Sequence, residues 1–503
     1  MDYDVIVIGA GAGGLSAGAS IAAGGLKTLV LEQADFVGGC ASSFDRDGFR
    51  FDTGACIIEM ARAHDWFYER LGLQREDYIK FIPTDPAFEM IDPLSGNRYL
   101  VPSSIEGVAE MIRQHSAEDA QAFTDFIRGP GRMLDELVDV VFTTPQGRLR
   151  HLAKVFTRFP RLITNARYLL TPYGKLVNDL FRHPFTRSFL SYYSAIGGLP
   201  PSIQSAVMLW GYYGERDGMF YPKGGMGELT RAMAKALIDV GGELQVGTSV
   251  QRLHLEKGKA RGVVLEDGTI IRSRAVVSNV NARTLYLNMV GEEHIPGAIV
   301  KGLESYEFSP ACAVAYLGLD YKPPMKAQHM IAMTSPELMD KFWSGFVNKN
   351  VAVPQGVGLV SSSTRENATP APAGCHSLTF MTVAPRHPSS GEWSRIKWDY
   401  LDQGIDMVDA LFLPGVKDHI IMKTIATPED FENRLLIPNG SIYAFSMSIW
   451  SQMLFRPSNR SRCIRDLYLC GASTHCGSVP GAVCSGMIAA DLVMGDMNGR
   501  RKR

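Results

Sequence analysis

The chain has 503 residues, and its 46% apolar content supports large buried cores in two domains rather than one. A net charge of −1 offers no basic excess for nucleic acid. Eight cysteines without a CxxC pair or zinc-like spacing argue against a disulfide framework and a metal centre, and fit a reduced, cytoplasmic setting.

Val5–Ile8 is a β-branched apolar run, as expected of a strand buried on both faces. It begins too close to the N-terminus for a signal peptide, and no uncharged apolar run reaches transmembrane length. The run ends in Gly9, Gly11 and Gly14 at GxGxxG spacing, with Ala12 and Gly13 inside the motif. Gly9 permits a tight turn, Gly11 lets the backbone approach a pyrophosphate, and Gly14 lets the next helix pack on the sheet. That helix, predicted from about Gly13 to Gly24, aims its N-terminus at the phosphates. A second apolar run closes at Glu32, eighteen residues beyond Gly14. A carboxylate there accepts hydrogen bonds from ribose hydroxyls and repels a 2′-phosphate. Strand, turn, helix and acidic partner together make a dinucleotide cradle rather than a mere glycine-rich turn. The doublet Gly38-Gly39 just beyond favours FAD over NAD.

Phe49–Gly54 reads as a short strand and turn, and residues 65–220 as mostly helical. Tyr221–Gly227 is a turn that opens a helix with Leu229, Met233, Ala236, Leu237 and Val240 on one face. Strand-like runs follow at Glu243–Leu255, Ala260–Leu265 and Ala275–Asn279. In a second excursion, Ala311–Leu319 and Ser377–Val383 are expected in a separate sheet, and Pro354 and Ala368–Gly374 in exposed loops. The chain returns with a strand at Asp466–Cys470 and a helix opened by Pro480. The fold class is therefore α/β, a Rossmann-type FAD-binding domain with an inserted α+β substrate domain. Residues 1–64, 221–290 and 456–497 form the discontinuous FAD domain. Residues 65–220 and 291–455 form the substrate domain and 498–503 a basic tail, of which Arg500–Arg503 is expected to be disordered.

The segments Gly9–Gly39, Tyr221–Gly227, Thr427–Phe431, Gln452 to Arg456-Pro457 and Tyr468–Gly481 together resemble the phytoene desaturase family of FAD enzymes. That family includes carotenoid desaturases, carotenoid isomerases and retinol saturases. The resemblance implies an apolar tunnel, peripheral membrane attachment and a polyene or isoprenoid substrate. It also implies hydride transfer at flavin N5, with desaturation favoured and isomerisation or saturation as alternatives. By position it implies Glu32 and Gln33 at the adenosine ribose, Gly9, Gly11, Ala12, Gly13 and Gly14 at the pyrophosphate, and Val250 at the adenine through its backbone. Gly38, Gly39 and Cys40 would border the flavin, Gly471 and Ala472 would meet the phosphate and ribityl chain, and Val479, Pro480, Gly481 and Ala482 would present a helix N-terminus to the ring. Many desaturases place an arginine where Cys40 stands, as the saturase and isomerase branches do not, whereas GASTH (residues 471–475) resembles the desaturases. Both directions of electron flow stay open, with oxygen, a quinone or a nicotinamide as acceptor.

His475 is the candidate proton carrier, weighed against a fixed structural histidine. Cys40 and Cys476 are expected to be buried and structural rather than reactive. Glu59 is either near the flavin or a solvated loop carboxylate. Residues 148–182 carry eight basic side chains (Arg148, Arg150, Lys154, Arg158, Arg161, Arg167, Lys175 and Arg182) against Asp179, a pattern for a membrane-interface helix pair or a solvated basic face. The aromatic stretch Phe189–Trp210 suits core or tunnel lining. Two other functions share the nucleotide motifs. A flavin amine oxidase would show an aromatic pair, for which Tyr443, Phe445 and Trp450 are poor matches; a lipid escort protein would tolerate damaged flavin motifs.

Overall fold

The computed structural model describes residues 1–133, 142–145, 164–206, 218–354, 358–365, 368–448, 456–475 and 477–501. β1 (Tyr3–Ile8), α1 (Ala12–Ala23) and β2 (Thr28–Leu31) open the chain. Val5 and Val7 face one core and Ile6 another, so β1 is buried on both sides. The hairpin β3 (Ser43–Arg46) and β4 (Phe49–Asp52) follows, then α2 (Ala61–Arg70).

The first excursion holds β5 (Phe81–Pro83), β6 (Phe88–Ile91) and β7 (Arg98–Val101) before its helices, which include α3 (Ile105–Arg113), α4 (Ala117–Arg128), α5 (Tyr173–Leu180) and α6 (Pro184–Ile196). The mostly helical expectation therefore misses three strands. The reason is tertiary: β6 is completed by distant partners. Its buried Glu89 takes hydrogen bonds from Arg98 Nη1 and from the Lys326 N–H, both at 2.8 Å. Local alternation carries no trace of that compensation.

The chain then forms β8 (Phe220–Pro222), α7 (Met226–Asp239), β9 (Glu243–Gln245), β10 (Val250–Glu256), β11 (Lys259–Leu265) and β12 (Ile270–Ser278). The run Glu243–Leu255 is thus two strands in different places. The second excursion supplies β13 (Ala311–Leu319), β14 (His329–Ala332), β15 (Gly358–Ser361), β16 (His376–Ala384), α8 (Trp393–Met407), β17 (Ile420–Ala426) and α9 (Pro428–Leu435). Pro354, Ala368 and Thr369 are buried, Pro354 beside α8 and the other two against the head of α7, whereas Pro370, Ala373 and Gly374 are exposed as expected. β18 (Leu467–Leu469) and α10 (Val479–Arg501) complete the fold.

The first sheet has the parallel order β9-β2-β1-β12-β18, with β11 and β10 pairing antiparallel off the outer end of β12. The second has the order β17-β13-β16-β15-β14-β6-β7, so both excursions build it. α10 is long and apolar enough to cross a membrane, but most of it is buried in the core. A Cβ on Gly486 would stand 2.3 Å from Gly13 O, which measures how closely α10 meets α1. The expected disordered tail is helical through Arg501; the basic residues at that end favour a helix C-terminus.

Candidate functional site

Strand order reverses between β1 and β12, and a crevice opens at their carboxyl ends. Gly9 leaves β1 at φ +91°, its N–H donating to Leu31 O at 2.7 Å. A Cβ on Gly14 would stand 1.9 Å from Gly9 O, so α1 can begin here only with glycine. Gly11 caps α1 without a side chain, which leaves the N-terminal end at Ala12 and Gly13 open to an anion. Gly38, at φ +124°, runs alongside, its N–H donating to Ala10 O at 2.9 Å. Glu32 Oε2 accepts the Ala10 N–H at 2.7 Å and Oε1 the Ala34 N–H at 3.0 Å. Each oxygen retains lone-pair capacity for a ribose hydroxyl. Val250 begins β10 close by, since the Thr248 N–H donates to Glu32 O at 2.8 Å. Gln33 turns outward, Nε2 donating to Arg434 O at 2.9 Å.

The C-terminal turn closes on this cradle. A Cβ on Gly13 would stand 2.9 Å from Gly471 Cα, so the two segments touch through bare backbone. Asn279 lies at their centre: Cβ atoms on Gly11, Gly13 and Gly471 would meet its amide at 2.7, 2.6 and 2.2 Å. Sequence reasoning did not single out Asn279 as a site residue. The available signal was a polar residue at the carboxyl end of a buried strand beside β1. Thr474 Oγ1 lies 2.6 Å from Ser485 Oγ, which also accepts the Gly471 N–H at 3.1 Å, and Ala472 O accepts from buried Arg456. At the head of α10, Ser478 takes the Gly481 N–H on Oγ at 3.1 Å and the Ala482 N–H on its carbonyl at 2.9 Å. Pro480 has no N–H, so this end offers a dipole rather than a row of free donors. Val479 packs on the cluster that holds Ala41 and Ala55.

Cys40 is exposed, which corrects the expectation of a buried thiol. Surrounding protein nevertheless pushes its pKa up, against Arg434, which lowers it. Arg434, from α9, was the second residue missed. Its Nη1 donates to Gly39 O at 3.0 Å and Ser42 Oγ at 3.2 Å, while its buried Nη2 has no partner among the described residues. The cation that many desaturases carry after the doublet thus reaches the doublet from another segment. An orphaned guanidinium nitrogen, a cradle that Cβ atoms would fill and an open helix N-terminus all fit FAD.

Beyond the doublet, the Ala55 N–H donates to Cys40 O at 3.1 Å. Buried Asp52 anchors this loop. It accepts from Ser43 Oγ at 2.8 Å, Tyr221 OH at 2.5 Å and the Met226 N–H at 2.8 Å, which caps α7. Burial raises its pKa although those bonds pull it down. Asp52, Gly54, Cys56 and Tyr221 line a small, partly open cavity together with residues of β13, β15 and β16. Its lining mixes Val314, Leu359 and Met381 with hydroxyls, so among the described residues it is not the uniformly apolar tunnel expected.

Residues 12–329 match the family described as flavin containing amine oxidoreductase. The chain belongs to that family. A phytoene desaturase (lycopene-forming) of Pseudescherichia vulneris is 27% identical, over 98% of this chain and 99% of that one. A chloroplastic prolycopene isomerase of Daucus carota is 25% identical, over 98% of this chain and 80% of that one. The fold matches the crystal structure of an oxidoreductase from Methanosarcina mazei with a TM-score of 0.66 at 15% identity, covering 98% of this chain and 100% of that one. The resemblance to phytoene desaturases thus holds along the whole chain, and FAD is the cofactor of this oxidoreductase.

Within the flavin oxidoreductase, His475 is buried, its Nδ1 3.3 Å from Thr474 Oγ1. Burial and the nearby Arg456 cation hold its pKa down at about 3, so the ring is neutral at ordinary pH. A base so weak takes a proton poorly, and the geometry favours a positioning role. Glu59 is only half-buried, but desolvation raises its pKa, so it is not a freely solvated carboxylate. Phe445 stacks on Tyr306 at 4.6 Å between ring centres and is fully buried, so it cannot flank a substrate. Cys476, Trp450, Gln452, residues 207–210 and the basic positions from Arg148 to Arg161 lie outside the described residues.

Glu32→Ala is expected to leave the fold intact and weaken FAD retention by tenfold or more, about the loss of one charged hydrogen bond. Arg434→Gln should act in the same direction. Bound-flavin absorbance per mole of protein after gel filtration reads both, and undiminished yellow colour in either variant contradicts that residue's assignment.

A pH dependence of stability also follows. His64, His329 and His475 are buried with pKa values lowered to about 4, 3 and 3. The unfolded chain binds protons at these residues below about pH 6.5, whereas the folded one does not. Stability should therefore be full above about pH 6.5 and fall as pH drops towards 4. Melting temperatures across that range test it; a flat profile would show that these rings are not buried neutral.

Proposed function

We propose that this flavin oxidoreductase desaturates a polyene or isoprenoid lipid. The observation that carries the reading is the end-to-end match to a desaturase, which includes both excursions that build the second sheet and the cavity wall. Desaturation is the activity named for most of these relatives, whereas isomerisation is named for the one from Daucus carota. Phe445, committed to Tyr306, speaks against an amine site.

Desaturation removes two hydrogens from adjacent carbons. Bound FAD supplies the two-electron acceptor for that step. The chain's own residues do the rest. The loop from Asp52 to Cys56 is held by Tyr221 and the cap on α7, so one cavity wall is rigid beside the doublet. Val314, Leu359 and Met381 give the chain of the substrate an apolar surface and exclude water. A lipid substrate also implies a peripheral membrane site on the cytoplasmic side. The basic segment 148–182 supports this reading, since its described members Arg167, Lys175 and Arg182 are exposed alongside Leu170. Flotation with anionic liposomes tests it: protein that stays at the bottom of the gradient counts against attachment.

The reaction is tested with purified, flavin-loaded protein and acyclic C30 and C40 polyenes, with the flavin first oxidised and then reduced. Product mass should fall by two hydrogens per turnover with oxidised flavin. A gain of hydrogen would make the protein a saturase, an unchanged mass with altered retention an isomerase, and peroxide from a soluble amine an amine oxidase.

A further inference from the structure

Desaturation releases a proton along with each hydride, and two titratable groups beside the cradle are poor acceptors for it. His475 is a weak base, and Asp52 already accepts three hydrogen bonds. We propose that Glu59 is the base that takes the substrate proton, on the side of the site formed by Val479 and Tyr443. The inference rests on the desaturase reading above and names the residue that completes its chemistry.

The backbone on both sides fixes where Glu59 stands. Ile58, just before it, is locked to Phe220 in both directions: its N–H donates to Phe220 O at 2.9 Å, and its carbonyl accepts the Phe220 N–H at 3.0 Å. Met60, just after it, enters α2 through left-handed backbone at φ +51°. Ile58 belongs to the apolar cluster on which Ala55, Ala61 and Val479 pack, and Val479 is the first residue of α10. Tyr443 approaches the same stretch from the second excursion. A Cβ on Gly477 would stand 2.4 Å from Tyr443 Cβ, and the charge of Glu59 raises the pKa of the Tyr443 phenol. Glu59 therefore lies between two residues that border positions 477–479, the head of α10 assigned above to the flavin ring.

The surroundings suit a base. Glu59 is half-buried, neither sealed in the core nor free in solvent. Burial pushes its pKa up, and no cation or hydrogen bond among the described residues pulls it back. A carboxylate that is ionised but poorly solvated takes a proton more readily than one in water. Cys56 from its own loop and Tyr443 from the second excursion feel its charge. Both are raised by burial, Cys56 to about 12, so neither competes for a proton near neutral pH. Arg62, in the first turn of α2, lies over the Trp66 ring at 5.8 Å. The step balances: a substrate C–H bond breaks, its proton goes to the Glu59 carboxylate, and its electron pair becomes the new π bond. The hydride from the adjacent carbon passes to bound FAD, and Glu59 returns its proton to water before the next turnover.

The test uses the full-length, flavin-loaded protein and a detergent-dispersed acyclic C40 polyene, with kcat/KM followed against pH. In the native protein the rate should fall on the acid side, with a midpoint above the ordinary carboxylate range, because protonated Glu59 accepts nothing. Glu59→Gln should lower kcat/KM by about a hundredfold or more and abolish that acid limb. Glu59→Asp should keep the limb at an intermediate rate. Bound flavin, melting temperature and the Kd for the polyene, read by quenching of protein fluorescence, should stay at native values in both variants. A Glu59→Gln protein that desaturates at the native rate, or keeps the acid limb, overturns the base alone. A native profile without an acid limb above the ordinary carboxylate range does the same, whatever the variants do. Absence of desaturation by the native protein overturns the desaturase reading, and the base with it.

Discussion

The structure depends on one close approach. Backbone at Gly13, from the first helix, meets backbone at Gly471, from the last turn, with Asn279 wedged beside them. No Cβ fits at any of the three glycines around that amide. Three parts of the chain, separated by two long excursions, are therefore forced into a single parallel sheet whose strand order reverses at this point. The reversal opens the crevice, and the glycines let a dinucleotide reach its floor.

A second constraint couples the cradle to the cavity. Asp52 ties the β3–β4 hairpin to Tyr221 and to the head of α7 in one buried set of hydrogen bonds. Such a group costs stability unless fully satisfied, and here three donors converge on it. The loop that follows, Gly54 to Cys56, is consequently fixed on both the doublet and the cavity. The wall beside the doublet and one wall of the cavity are therefore parts of one rigid element.

Charge at the glycine doublet shows how a site can keep its physics while its local motif changes. Position 40 holds a thiol, yet a guanidinium still sits over the Gly39 carbonyl, delivered by Arg434 at the end of α9. The capping box at Thr427 and Asp430 sets where that helix starts, and so where Arg434 arrives.

Local chemistry was enough to read the cradle from the amino-acid order alone. Gly9, Gly14 and Glu32 are each demanded by contacts within one short stretch, so their spacing carries the meaning, whereas Gly11 and Gly13 also answer to Asn279 and Gly471. The strand β13 and the return at β18 were legible as continuous apolar runs, and β16 as an alternating one. Tertiary structure alone decided the rest. Glu89 lies buried in β6 with Arg98 and Lys326 answering it, and Asn279 and Arg434 gain their places from neighbours brought in by folding. A side chain whose partner lies hundreds of residues away leaves no periodic mark in its own neighbourhood; only the folded chain puts the two within reach.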